Sequence, residues 1–175
     1  MDYFLVRQDK RVYDVAQPVS GSLNLHRITK EQFDALPPAS TLLIQEGGRN
    51  EYPDYLENMG MLISGDLLRI MKKYQQDIEF KTVVLIEPKK NRLETYYLIS
   101  VPQIPCAYLG TAENRRETMG KLILDEIKIG DAKVFGVASY ENKLFVRLDV
   151  AESILRRGSY GVWFEKAQVI KKEAI

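Results

Sequence analysis

The stretch from Met61 to Val101 constrains the fold more than any other part of the chain, because it joins a helix with its own start signal to two β-rich runs with their own turn. In Met61-Leu62-Ile63-Ser64-Gly65-Asp66-Leu67-Leu68-Arg69-Ile70-Met71-Lys72-Lys73-Tyr74, Ser64 ends a short apolar run and offers its hydroxyl to the free amides of the next turn. That places it as a helix N-cap. Asp66 in the first turn and Lys72 and Lys73 in the last turn both oppose the helix dipole. Leu67, Leu68, Ile70, Met71 and Tyr74 recur at helical spacing on one side, leaving Arg69, Lys72 and Lys73 outside. Burying that stripe does not by itself offset the entropy of fixing the backbone, so the helix needs support. Phe80 to Glu87 and Leu93 to Val101 supply it as the two strands of a hairpin, joined by the turn-forming and basic Pro88-Lys89-Lys90-Asn91-Arg92. Val83-Val84-Leu85-Ile86 and Tyr96-Tyr97-Leu98-Ile99 are apolar at both alternating positions, which puts this hairpin inside a larger sheet instead of on its edge.

The flanking chain reads as further short elements. Asp2 to Arg7 is a β-rich run bounded by polar residues, a strand that ties down the N-terminal region. From Val12 to Ala39 the pattern is broken by Pro18, Gly21, Pro37 and Pro38, with one short helix over Thr29–Leu36, where Thr29 caps and Gln32 completes a capping box. Thr41 to Gln45 is another strand, cut off by Gly47-Gly48. Arg49 to Asn58 carries two tyrosines and several acids around Pro53 and is the least core-like segment, readable as a recognition surface or as a solvated connecting loop. After the hairpin, Pro102 and Pro105 remove ladder donors and end strand pairing. Glu113-Asn114-Arg115-Arg116-Glu117 is a charged connection and Leu122-Ile123-Leu124 a short apolar run. Lys133 to Ser139 and Lys143 to Arg147 form a second hairpin around Tyr140-Glu141-Asn142. Asp149-Val150-Ala151-Glu152 has the side chains of a capping box opening a second short helix, which Gly158 closes, and Gly161 to Ile170 is a final strand.

These elements predict an α+β fold, mainly antiparallel sheet built from hairpins, with a capped amphipathic helix before the central hairpin and a second short helix near the C-terminus. Residues 1–60 read as a strand and loop lobe packed on a main domain at 61–170, with 171–175 a solvated tail. The chain shows no internal repeat and no low-complexity segment. At 175 residues and 45% hydrophobic content it can bury a proper core. Its single cysteine excludes an internal disulfide, and its N-terminal residues lack the basic-plus-apolar pattern of a signal peptide, so a cytoplasmic location is expected. No apolar stretch approaches a membrane span. With 25 Lys and Arg against 24 Asp and Glu, the net charge of +1 offers no global field for a polyanion, and Lys89, Lys90 and Arg92 are too few to make a nucleic-acid patch.

No reactive set assembles from sequence. The only histidine, His26, and the only cysteine, Cys106, lie in no nucleophile motif and read as packing or surface residues more readily than as a dyad. Zinc ligands at short spacing are lacking, no Asp-x-Asp or Glu-x-x-His constellation points to a carboxylate metal site, and no metal or other cofactor is expected. Gly47-Gly48 lacks the lysine and hydroxyl residue of a phosphate loop and reads as a turn. Asp125 and Glu126, adjacent on a strand, point to opposite faces instead of forming an acid/base pair. Met59 and Met61 with Tyr52 and Tyr55 make either a binding stripe or core.

The order of these pieces resembles a family of bacterial immunity proteins from polymorphic toxin systems, long catalogued as a domain of unknown function with a myxobacterial example. The likeness runs from about Leu62 through Phe164: Leu62-Ile63-Ser64 with Leu67-Leu68, Ile78-Glu79-Phe80, Tyr96-Tyr97-Leu98-Ile99, Leu122-Ile123-Leu124-Asp125, Phe135, Leu144-Phe145-Val146, Gly158, and Gly161-Val162-Trp163-Phe164. Where that family carries an Asp-rich segment after the Tyr-Tyr strand, this chain has Pro105-Cys106-Ala107-Tyr108-Leu109-Gly110. The resemblance implies a non-enzymatic cytoplasmic protein that binds and neutralises a cognate protein toxin, and it carries over no catalytic residues. On that reading Tyr52, Asp54, Tyr55 and Glu57 are the expected partner contacts. The alternatives are a small enzyme with a carboxylate-based site and an oligomerising structural or adaptor module.

Overall fold

A computed structural model describes residues 1–109 and 121–171. In chain order the strands are β1 (Tyr3–Gln8), β2 (Ala39–Leu43), β3 (Tyr55–Leu56), β4 (Leu62–Ser64), β5 (Glu79–Glu87), β6 (Arg92–Ser100), β7 (Gln103–Ile104), β8 (Ile123–Asp125), β9 (Val134–Val137), β10 (Tyr140–Arg147), β11 (Val162–Lys166) and β12 (Gln168–Ile170). The α-helices are α1 (Lys30–Ala35), α2 (Gly65–Tyr74), α3 (Glu126–Ile129) and α4 (Leu148–Arg156). The architecture is α+β. Two five-stranded sheets run β11-β1-β10-β9-β7 and β2-β5-β6-β4-β3, and β8 pairs with β12 separately. Neighbours are antiparallel except for the parallel pairs β2 with β5, β7 with β9 and β12 with β8.

Local chemistry accounts for the elements that were expected. The Ser64 hydroxyl accepts the Leu67 amide at 3.3 Å, and Leu67, Leu68, Ile70 and Met71 are the buried face of α2. Thr29 caps α1 in a complete capping box with Gln32. β5 and β6 form the central hairpin and lie inside their sheet, flanked by β2 and β4. Gly158 takes the left-handed conformation, φ +71°, just past α4.

Each sheet contains the same unit. β4 leads through α2 to β5, and both strands are antiparallel to β6, which lies between them. β10 leads through α4 to β11, and both are antiparallel to β1, which lies between them. α2 and α4 pack on each other. Apolar residues on the facing sides of the sheets join them in the central core: Val6, Leu144 and Val146 from the first sheet, Tyr55, Ile63 and Ile99 from the second, and Leu67, Met71, Val150 and Ile154 from the helices. A second core lies on the opposite face of the β5–β6 sheet, where Leu42, Val83, Leu85, Tyr96 and Leu98 meet Leu25 and Phe33. A third lies on the opposite face of the other sheet, where Tyr3, Phe135 and Phe145 meet Leu124, Ile129 and Cys106.

Several expectations are corrected. The two strand-helix-strand units repeat in topology, a likeness of backbone arrangement separate from the absence of a repeat in the residues. The second hairpin reverses at Ala138-Ser139, not at 140–142: Val137 pairs with Tyr140, Ser139 has φ +69°, and the register slips before Phe145. Asp149 does not cap α4. Arg147 stands at the cap position, Asp149 lies within the first turn and binds the Arg147 guanidinium at 2.9 and 2.7 Å, and the free Leu148 amide donates to the Asp2 carbonyl of the neighbouring chain segment. Pro102 and Pro105 end the hairpin but bracket β7, because a proline keeps its carbonyl: Gly136 donates to Pro102 at 2.8 Å. Asp125 ends β8 and caps α3, accepting from the Ile127 and Lys128 amides. The last strand is split at Ala167 into β11 and β12, which join different sheets. Residues 1–60 supply β1 to one sheet and β2 and β3 to the other, so ladders in both sheets cross position 60. The charged run Glu113–Glu117 and the tail residues 172–175 lie outside the described residues.

Candidate functional site

Within the Arg49–Asn58 segment, Asn50, Pro53, Tyr55 and Leu56 are buried, while Tyr52, Asp54 and Glu57 are partly exposed. Tyr55 is 1% exposed and sits in the central core, so it reaches no partner in this conformation. Asp54 holds the loop before β11, accepting the Tyr160 amide while its own amide donates to the Tyr160 carbonyl at 2.7 Å. Glu57 is tied to β1, binding Arg7 at 2.8 Å and accepting the Gln8 amide at 3.0 Å. Tyr52 is half-buried, donates to Glu87 at 3.1 Å and lies under the Arg92 guanidinium, 4.3 Å from its ring centroid. Burial, then the Glu87 carboxylate it faces, push its phenol up to about 12. Of the four residues, Tyr55 and Tyr52 pack on different cores, Asp54 fastens a loop and Glu57 is tied to a strand. Met59 is likewise core. The sequence missed this because short polar side chains that fasten loops look the same as ones that face a partner.

Cys106 is buried in the third core, where burial raises its thiol, and His26 is exposed on the loop before α1. Among the described residues no group of three or more His, Cys, Asp or Glu is placed to hold a metal ion. A cleft of about 610 Å³ between α1, the end of β6 and the start of β10 is lined by Asp77, Glu79 and Glu141, with Lys30 already bridging Asp34 and Glu79.

The most distinctive outward feature is the part of the β5–β6 sheet that the α2–α4 layer leaves uncovered. The register sets Leu43, Ile86 and Leu93 in one row across three strands, and Thr41, Val84 and Thr95 in the next. Leu43 is 50% and Leu93 66% exposed, with Ile86 and Val84 half-buried between them. Thr82 pairs with Tyr97 in the third row, and Phe80, 44% exposed, meets Tyr97 edge-on at 5.5 Å. No position on this face between Ala39 and Leu43 in β2, Phe80 and Ile86 in β5, or Leu93 and Tyr97 in β6 carries a charge. The hairpin is apolar at both alternations, as the sequence indicated, yet one of its faces is only partly covered. The opposite face does carry charge: Glu87 there is 1% exposed, and the Lys90 ammonium at 2.7 Å, with Asn50 and Tyr52 donating, holds its carboxyl below the usual range.

Where the uncovered face meets α2, a groove of about 640 Å³ is lined by Arg69, Lys72, Lys73, Phe80 and Tyr97 and by no carboxylate. Lys72 donates to the Gln76 and Ile78 carbonyls at 2.8 and 2.9 Å and lies 5.8 Å from the Phe80 ring centroid. The cations that the sequence places outside α2 thus border an aromatic floor. No helix among the described residues is long and apolar enough to cross a membrane. No protein-family model matches the chain, and no curated protein matches it.

Proposed function

We propose that this is a non-enzymatic immunity protein that binds and neutralises a cognate protein toxin in the cytoplasm of the bacterium producing that toxin, with the uncovered face of the β5–β6 sheet as its contact surface. The observation that carries this reading is the Leu43–Ile86–Leu93 row, exposed on a charge-free sheet face. Contiguous exposed apolar area of this kind mark protein-interaction sites. Such a face suits a macromolecular partner, which can bury it through a desolvated centre and a polar rim. The order of elements from Leu62 to Phe164, which resembles that of toxin-neutralising proteins, supports the same reading.

Co-expression with the toxin encoded by the neighbouring gene tests it. The wild-type protein is expected to protect cells and to co-purify with the toxin. The double variant Leu43→Asp/Leu93→Asp, which places charge on two exposed positions, is expected to lose both while keeping its melting temperature within a few degrees. Neither protection nor a complex with the wild-type protein would overturn the proposal.

A further inference from the structure

We propose that the groove between α2 and the Phe80–Tyr97 pair receives an acidic segment of the partner protein that continues in aliphatic residues onto the Val84–Ile86–Leu93 rows. This rests on the function proposed above and names the partner's chemistry. Arg69, Lys72 and Lys73 line the groove with no carboxylate among them, and Asp66, the one acid bound to Arg69, is itself outside the lining. Three cations around a shared concavity raise the local concentration of an anionic group and speed its encounter. Lys72 is held in place by two backbone carbonyls, so its charge is pre-positioned before any partner arrives.

Other occupants fit less well. A second copy docked symmetrically with the groove on the two-fold axis would set the three cations against themselves. A nucleic acid would meet the cations but would then lay phosphates on an aliphatic sheet, and the perpendicular packing of Phe80 on Tyr97, 87° between rings, leaves no pair of parallel ring faces for successive bases. An acidic stretch followed by aliphatic side chains satisfies both halves of the surface. Its charge lies in the groove and its apolar residues cover Leu93 and Leu43.

The test is a titration of the isotope-labelled full chain, followed by amide chemical shifts, with four probes of twelve units. The probes are a peptide joining an Asp/Glu half to a Leu/Val half, the same peptide with Lys for each acid, an all-acidic peptide, and oligouridylate. The first is expected to shift amides of Arg69, Lys73, Phe80, Val84 and Leu93 and to bind at least about tenfold more tightly than the other three. Arg69→Glu/Lys73→Glu is expected to remove about tenfold of that affinity and most of its salt dependence. Equal binding of the lysine peptide, equal or tighter binding of oligouridylate, or no shifts with any probe would overturn the inference. If those results appeared while Leu43→Asp/Leu93→Asp still abolished protection, the acidic-segment inference would fall and the proposed function would stand.

Discussion

Glu87 is almost wholly enclosed, and its partners, not water, set its charge. Lys90 at 2.7 Å, Asn50 at 2.8 Å and Tyr52 at 3.1 Å all donate to it, and its carboxyl is depressed below the ordinary value of 4.5. A carboxyl depressed in the folded state adds stability that is complete above the unfolded value and lost as pH falls through the folded one. Urea unfolding midpoints are therefore expected to drop from pH 6 to pH 3, and the drop is expected to be smaller in Glu87→Gln, which has no proton to take up there. An unchanged drop would show that the acid sensitivity comes from other depressed carboxylates such as Asp9 and Asp149. None of this was legible in the sequence. Glu87 appears there as the polar end of a strand, and Asn50, Tyr52 and Lys90 reach it only because a turn and a loop fold back over it. The burial of Tyr55 and the ties of Glu57 were hidden for the same reason: what they touch lies in the central core and on β1, far away in sequence.

Capping chemistry separates what local sequence decides from what it does not. Ser64 and Thr29 were both readable as caps, because the acceptor side chain and the amide it serves lie within three residues. Ser64→Ala is expected to destabilise the protein by about 1 kcal/mol, measured by chemical denaturation, with α2 amides exchanging faster than those of α4. The start of α4 was misread because its first free amide is served by Asp2, a residue brought there by β1 and not by its own sequence neighbours. The same limit applies to the second hairpin, where Ser139 and Asn142 adopt positive φ that no turn-forming glycine announces. The central hairpin was legible as two strands and a turn because these are contiguous, although its pairing opens at Glu87 and Arg92, one residue before the strand start at Leu93 that the sequence suggests. What the hairpin's own residues did not reveal is the extent of its cover: α2 reaches only as far as Tyr97, and the rows beyond it face outward.

For the molecule as a whole, α+β character followed from alternating patterns and two helix starts, but the doubled architecture did not. Both strand-helix-strand units close around an inserted antiparallel strand, β6 in one and β1 in the other, and only the first of these is adjacent in sequence to the unit it completes. Deleting residues 1–8 removes the strand that both β10 and β11 pair with. The shortened chain is expected to lose cooperative thermal unfolding and amide protection throughout that sheet, while a matching loss on removing β12 alone would argue against this account. The central place of β1 also sets a schedule for synthesis. At about 5–20 residues/s, β11 leaves the ribosome roughly ten to thirty seconds after β1, and until then β1 waits without its second neighbour.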